Sequence, residues 1–177
     1  MYQHLILSLM LASPVAAQTP ATTKPAAPTA KPAGDTQKPA AGADKAAASA
    51  KGVRTVEIIG TEDMKFSLAT ITAKPGEQLR VRLVVKGSMP KIAMAHNFVL
   101  LTKKASPVDY VTAAMQARPD FLPADKKADV IAATTLAGAG ETVEVTFKVP
   151  AVAGDYTYLC SFPGHFQAGM KGTLTVK

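Results

Sequence analysis

Across 177 residues the chain has one cysteine, three histidines and no tryptophan. His4 falls in an N-terminal stretch read below as a removable leader, so the mature chain keeps His96, Cys160 and His165 alone. That economy argues against chemistry needing many ligands, because structural zinc takes four Cys or His residues and catalytic zinc usually three strong ligands plus water. Long apolar runs are also missing. The run from Leu5 to Ala12 is far shorter than the roughly 20 residues a bilayer core requires, and no transmembrane segment is expected in the mature chain. From Gln18 to Gly52 there is no Leu, Ile, Phe, Met or Tyr to bury, so this stretch cannot fold on its own.

What is present divides the chain into three. Residues 1–17 end in Ser13-Pro14-Val15-Ala16-Ala17, small residues that suit cleavage before Gln18, and read as a signal peptide, although the usual positive charges are absent and only His4 stands there. Residues 18–52 read as a disordered linker rich in Ala, Pro and Lys, whose five Lys and two Asp leave +3. Polyproline-like segments extend about 3.1 Å per residue, so it could act as a loose tether or as a plain spacer. Residues 53–177 are enough for one domain with a substantial core. Their fifteen Lys and Arg against eleven Asp and Glu leave +4 without long basic runs, which suits acidic protein partners, or solubility alone, better than nucleic acid.

Within that domain the periodicity is that of strands. Leu79, Val81, Leu83 and Val85 alternate with Arg80 and Arg82, and Val143, Val145, Phe147 and Val149 alternate with Glu144, Thr146 and Lys148. Further strands are expected at 54–59, 64–73, 97–102, 155–160 and 171–177. In 64–73 the apolar register moves from even positions (Met64, Phe66, Leu68) to odd (Ile71), which predicts a bulge or a change of sheet. Short strands at this spacing imply an all-β sandwich. One helix is expected after Ser106, with Pro107 at its first position, Asp109 complementing its dipole, Val108, Val111 and Met115 near one face, and an end before Arg118-Pro119.

The chemistry concentrates in Cys160-Ser-Phe-Pro-Gly-His165-Phe-Gln-Ala-Gly-Met170. Cys160 shares strand parity with Tyr156 and Tyr158, so its thiol should point inward; Pro163-Gly164 turns the chain, and Met170 opens the inward row continued by Leu174 and Val176. Two imidazoles, a thiolate and a weak axial thioether form the preferred ligand set of a blue-copper electron-transfer site, and only His96, in Met94-Ala95-His96-Asn97, can supply the second imidazole. Singly, a lone Cys or His is as readily a buried or surface residue; the combination is specific.

This constellation, with Met170-Lys171-Gly172-Thr173-Leu174, Met64-Lys65-Phe66 and the segment around His96-Asn97, resembles the azurins and, more closely, the azurin-like auracyanins, over residues 53–177. The ligand loop has four residues between His165 and Met170, as in auracyanins, while a second Cys for the azurin disulfide is absent and Phe98 replaces a Trp. The resemblance implies a cupredoxin-like Greek-key β-sandwich or barrel with a helical flap. It also implies Asn97 and Ser161 supporting the ligands, and an Ala95 carbonyl weakly presented opposite Met170.

The expected function is a non-enzymatic, exported, monomeric carrier of single electrons on one copper ion, periplasmic and loosely tethered by its tail. Redox proteins would dock at an apolar patch around His165 formed by Met94, Phe162, Pro163 and Phe166. A copper-binding or delivery protein without a redox role is the alternative. A thiol hydrolase would leave Met170 and His96 unexplained, and a copper oxidase or nitrite reductase needs further histidines that the chain lacks.

Overall fold

Alternation along the chain becomes two facing sheets. The computed structural model describes residues 48–49 and 52–177, so the expected leader and most of the expected linker lie outside the described residues. The strands in order are β1 Ala48–Ser49, β2 Val53–Thr61, β3 Lys65–Phe66, β4 Thr70–Ala73, β5 Gln78–Val85, β6 Val99–Leu101, β7 Val130–Ala133, β8 Thr142–Lys148, β9 Gly154–Leu159 and β10 Lys171–Val176; helix α1 is Pro107–Ala114. One sheet is ordered β1-β2-β5-β8, with β3 also pairing β2, and the other β4-β10-β9-β6-β7. β2 and β5 run parallel, as do β4 and β10. The architecture is the two-sheet sandwich that the strand spacing implied.

The stretch at 64–73 is two strands rather than one. β3 pairs with β2 in the first sheet and β4 with β10 in the second, so the parity shift between Leu68 and Ile71 marks a change of sheet. β5 is buried at Leu79, Val81, Leu83 and Val85 in strict alternation. These side chains meet Phe98, Leu100, Tyr156, Tyr158, Leu174 and Val176 from the opposite sheet in one core cluster. Each such side chain removed from water contributes roughly 1.5–3 kcal/mol, which drives the two faces together.

Every residue of β6 is buried, and the reason is a second layer. Leu100 joins the core between the sheets, whereas Val99 and Leu101 pack with Leu159, Tyr110 and Val111 beneath α1. The helix starts as its capping residues dictate, with Ser106 Oγ accepting from the Asp109 amide at 3.2 Å and Pro107 opening the first turn. Its buried face differs from the expected one. Tyr110, Val111 and Ala114 turn inward, while Val108 and Met115 are 60% and 40% exposed. The aromatic bulk of Tyr110 claims the contact and rotates those two to the margins.

Three elements were not expected from the sequence. A 3-10 turn at Ala124–Asp129 leads into β7, whose four residues Val130–Ala133 are too short to display an alternation. β1 falls within the expected linker, where Ala48 and Ser49 pair with Arg54 and Val53. Such a ladder needs only backbone groups, so a segment without burial-competent side chains can still join the sheet edge. Among the described residues no helix is long and apolar enough to cross a membrane.

Candidate metal centre

The expected ligands converge at one end of the sandwich from two distant segments. His96 enters through an isolated bridge to Ala137, its amide donating to the Ala137 carbonyl at 2.9 Å and its carbonyl accepting from the Ala137 amide at 2.8 Å. Cys160 directly follows β9, and Met170 directly precedes β10. The Cys160 amide donates to the Met170 carbonyl at 3.1 Å and the Met170 amide to the His165 carbonyl at 2.9 Å, which folds the intervening loop back on itself. Within it His165 donates to the Phe162 carbonyl at 3.1 Å and Ala168 to that of Gly164 at 3.0 Å. Gly164 takes φ +84, a left-handed turn that a side chain would strain.

These constraints place His96 Nδ1 3.1 Å from His165 Nδ1, and Cys160 Sγ 3.5 Å from His165 Nδ1. All three donor atoms lie within 4.8 Å of one another. His96, Cys160 and Met170 are fully buried and His165 is 2% exposed. Met170 reaches the same spot, because a Cβ on Gly60 would lie 3.2 Å from both His96 Cδ2 and Met170 Cε. The Ala95 carbonyl is 4.0 Å from Cys160 Sγ.

Electrostatics make these groups ligands rather than ion partners. Burial lowers His96 to about 4 against an opposing effect of the Thr61 backbone, and burial followed by the neighbouring His96 lowers His165 to about 4, so both rings are neutral near pH 7. Burial pushes the Cys160 thiol up to about 12, opposed by the backbone amides of Asn97 and Phe162. A bound cation reverses that cost, since a coordinating thiol is deprotonated outright. Donors held about 2.0–2.3 Å from a common first-row ion stand roughly 3–4 Å apart, so the 3.1 and 3.5 Å separations fit one ion. The donor set of two imidazoles, a thiolate and a nearby thioether fits copper.

The expected supporting residues are joined across the two segments. Asn97 Nδ2 donates to Ser161 Oγ at 2.9 Å, the Ser161 amide donates to Asn97 Oδ1 at 2.9 Å, and Ser161 Oγ donates to the Phe121 carbonyl at 2.7 Å. Asn97 and Ser161 are both buried. Around them Met94, Phe162, Pro163 and Phe166 are half-buried. The Phe162 ring lies 4.8 Å from that of His165 and 5.2 Å from that of Phe121. In the turn before His96, Ile92 is 91% and Met89 41% exposed, adding apolar surface to this end.

Two participants escaped the sequence reading. Gly60 carried a usable signal, since a lone glycine inside a strand pattern marks close approach. Phe121 carried none: it adopts φ 54 without being glycine, and its role is played by its carbonyl.

The geometry agrees with known proteins. Residues 53–177 match the model of the copper-binding proteins of the plastocyanin/azurin family. The chain is 45% identical over 127 residues to an azurin of Pseudomonas denitrificans, covering 70% of this chain and 98% of that one. It is 35% identical over 126 residues to auracyanin-B of Chloroflexus aurantiacus, covering 70% of this chain and 52% of that one. Among solved structures, auracyanin A of the same bacterium, described as a "blue" copper protein, superposes with a TM-score of 0.63 at 35% identity, covering 71% of this chain and all of that one. Identity is therefore higher to this azurin than to either auracyanin, so the auracyanin-like spacing of the ligand loop does not extend to a closer likeness over the whole domain.

Proposed function

Because the chain belongs to the plastocyanin/azurin family of copper-binding proteins and is a blue copper cupredoxin, we propose that it is an exported carrier that moves single electrons between redox partners. The observation that carries this reading is the buried convergence of His96 Nδ1, His165 Nδ1 and Cys160 Sγ. Copper, when bound, supplies a one-electron couple between Cu(II) and Cu(I). His96, Cys160 and His165 would hold it, with Met170 as a weak fourth donor and the Ala95 carbonyl nearby. The chain's part is to keep these donors still. Asn97 and Ser161 lock the two ligand segments together, the Asn97 and Phe162 amides face the thiolate, and buried apolar packing excludes water.

Electrons would pass through the His165 edge, where Met94, Phe162, Pro163 and Phe166 offer a small apolar docking surface. Redox encounter interfaces of this kind bury less than about 1,200 Å². Residues 1–17 would direct export to the periplasm and residues 18–52 would tether a monomeric domain loosely there, with no nucleic-acid partner. Enzymatic use of Cys160 is disfavoured by its complete burial, since a reactive thiol must be accessible. The same burial weighs against a copper-delivery role, which needs exchangeable ligands.

The test is a visible and electron-paramagnetic-resonance spectrum of the Cu(II) protein, followed by voltammetry. An intense thiolate-to-copper band near the red end of the spectrum and a reversible one-electron wave are expected. Copper binding without a reversible wave would leave the delivery reading in its place.

A further inference from the structure

Two lysines rest directly on the ligand loop. Lys65 Nζ donates to the Ala168 carbonyl, and Lys171 Nζ lies 4.8 Å above the Phe166 ring. Among the described residues the ion pairs are Arg54–Glu77, Arg80–Glu144, Arg82–Glu57, Arg82–Glu144 and Lys91–Glu141. Neither Lys65 nor Lys171 belongs to one. Both are exposed, and both rest on the segment Phe166–Ala168, immediately beyond His165. Lys171 and Phe166, with Pro107, Thr157 and Thr173, line an open groove of about 390 Å³ between the helix start and the ligand loop; Lys65 meets the same loop at Ala168.

The opposite flank is different. In the turn leading toward His96 two charges are engaged: Glu62 accepts from the amides of Ser88 and Met89, and Lys91 pairs with Glu141 at 2.7 Å. Lys86 on that side and Arg118, 5.5 Å over the Phe121 ring, are also exposed and outside these ion pairs, but Lys65 and Lys171 alone among the four rest on the segment just beyond His165.

We propose that the groove beside Lys171 and Phe166, with Lys65, is the charge-recognition half of the docking surface and receives carboxylates of an acidic redox protein. This deepens the electron-carrier reading and rests on it. The hydroxyls of Thr157 and Thr173 and the ammonium of Lys171 supply donors to a carboxylate, and the Phe166 ring supplies an apolar floor. Charge placed to one side of an apolar contact steers the encounter and selects its rotation, which affects the on-rate more than the affinity. A partner held at this flank would have its own redox centre turned toward the His165 edge.

Two measurements on the full chain test this, with Lys171→Met, Lys65→Met and the double charge reversal Lys65→Glu/Lys171→Glu as variants. The first uses the redox-inert anion hexacyanochromate(III) as a paramagnetic probe of the diamagnetic Cu(I) protein by NMR. Broadening should centre on Thr157, Phe166, Lys171 and Thr173 and disappear in the double reversal; broadening centred on Lys86 to Lys91, or unchanged by the reversal, overturns the site. Because this readout requires no electron transfer and can be repeated on metal-free protein, it survives failure of the carrier reading. The second compares two forms of ferricytochrome c, basic as isolated and acidic after succinylation of its lysines. One electron passes from the reduced copper protein to the haem iron, leaving Cu(II) and Fe(II). The acidic form should show a rate that falls with added salt, and the double reversal should slow it on the order of tenfold at low ionic strength. Equal salt dependence for the two cytochromes, or no response to the reversal, refutes an acidic partner. Lys171→Met keeps the packing on Phe166, so an effect in this variant reports charge rather than loop collapse.

Discussion

Gly60→Ala tests whether the site is packed as tightly as it is drawn. Gly60 lies in β2, the strand that pairs in parallel with β5, and its backbone is not left-handed, so alanine meets no φ strain there. In open space such a change stabilises a fold by about 0.4–1 kcal/mol through the unfolded chain. Here the added methyl would lie 3.2 Å from His96 Cδ2, 3.2 Å from Met170 Cε and 3.4 Å from His96 Cγ. Carbon atoms prefer about 3.5–4.0 Å, and relief requires moving buried side chains by a few tenths of an ångström. Overpacking of that kind costs about 1–3 kcal/mol, leaving a net loss of up to about 2.5 kcal/mol. For a domain of this size the melting temperature of the metal-free protein should fall by about 4 °C per kcal/mol. Because the displaced atoms belong to His96 and Met170, the copper form should also change its visible band ratio and its reduction potential. Calorimetry of both forms and voltammetry read these effects. A metal-free protein that melts higher than the parent, with an unchanged copper spectrum, would show that Gly60 does not press on the ligands.

Three other outcomes are expected. Met170→Gln should retain a coloured copper site but lower its reduction potential, and an unchanged potential in voltammetry would remove Met170 from the ligand set. Asn97→Ala leaves the buried Ser161 amide without its 2.9 Å acceptor, and Ser161→Ala leaves Asn97 Nδ2 and the Phe121 carbonyl without their partner; each should cost about 2 kcal/mol in denaturant unfolding, and an unchanged midpoint in either would remove these bonds from the account. The Arg54 guanidinium beside Glu77 holds its carboxyl below the usual 4.5. That pair therefore stabilises the fold above pH 4.5 and loses its contribution as pH falls through the lowered value. The melting temperatures of the parent and Glu77→Gln should differ at pH 7 and converge in acid; a constant gap across that range would exclude the ion pair as the cause.

How much could be read beforehand depended on whether a feature was local. The alternation of Leu79 to Val85 is local and reappears as strict burial in β5. So is the Ser106 cap, and so is the parity of Cys160 with Tyr156 and Tyr158, all three buried. The meeting of Cys160 with His96, 64 residues earlier, is not local, and it could be anticipated only because the chain has so few residues able to complete the set. Where contacts are set by tertiary packing, periodicity was a poor guide. β7 is four residues long, and the face of α1 was decided by Tyr110 rather than by the spacing of Val108 and Met115. The carbonyl of Phe121 was invisible because a backbone group carries no sequence signature, and its φ of 54 belongs to a residue type that seldom adopts it.

The same contacts bear on why the site suits electron transfer. A centre that exchanges electrons quickly must change little between oxidation states, so the question is what a displaced ligand would break. Moving His96 breaks its two bonds to Ala137. Moving Cys160 strains the Met170 carbonyl on one side and, through Ser161, the bonds to Asn97 and Phe121 on the other. Moving Met170 breaks its bonds to His165 and Cys160 and drives its methyl against Gly60. Each buried bond contributes about 1 kcal/mol net and costs more when one partner is left unsatisfied. Two or three bonds per ligand therefore oppose a shift of any donor between oxidation states. Because Asn97 adjoins one ligand while Ser161 adjoins another, a displacement at either segment is opposed by both, and the four side chains respond as one rigid body.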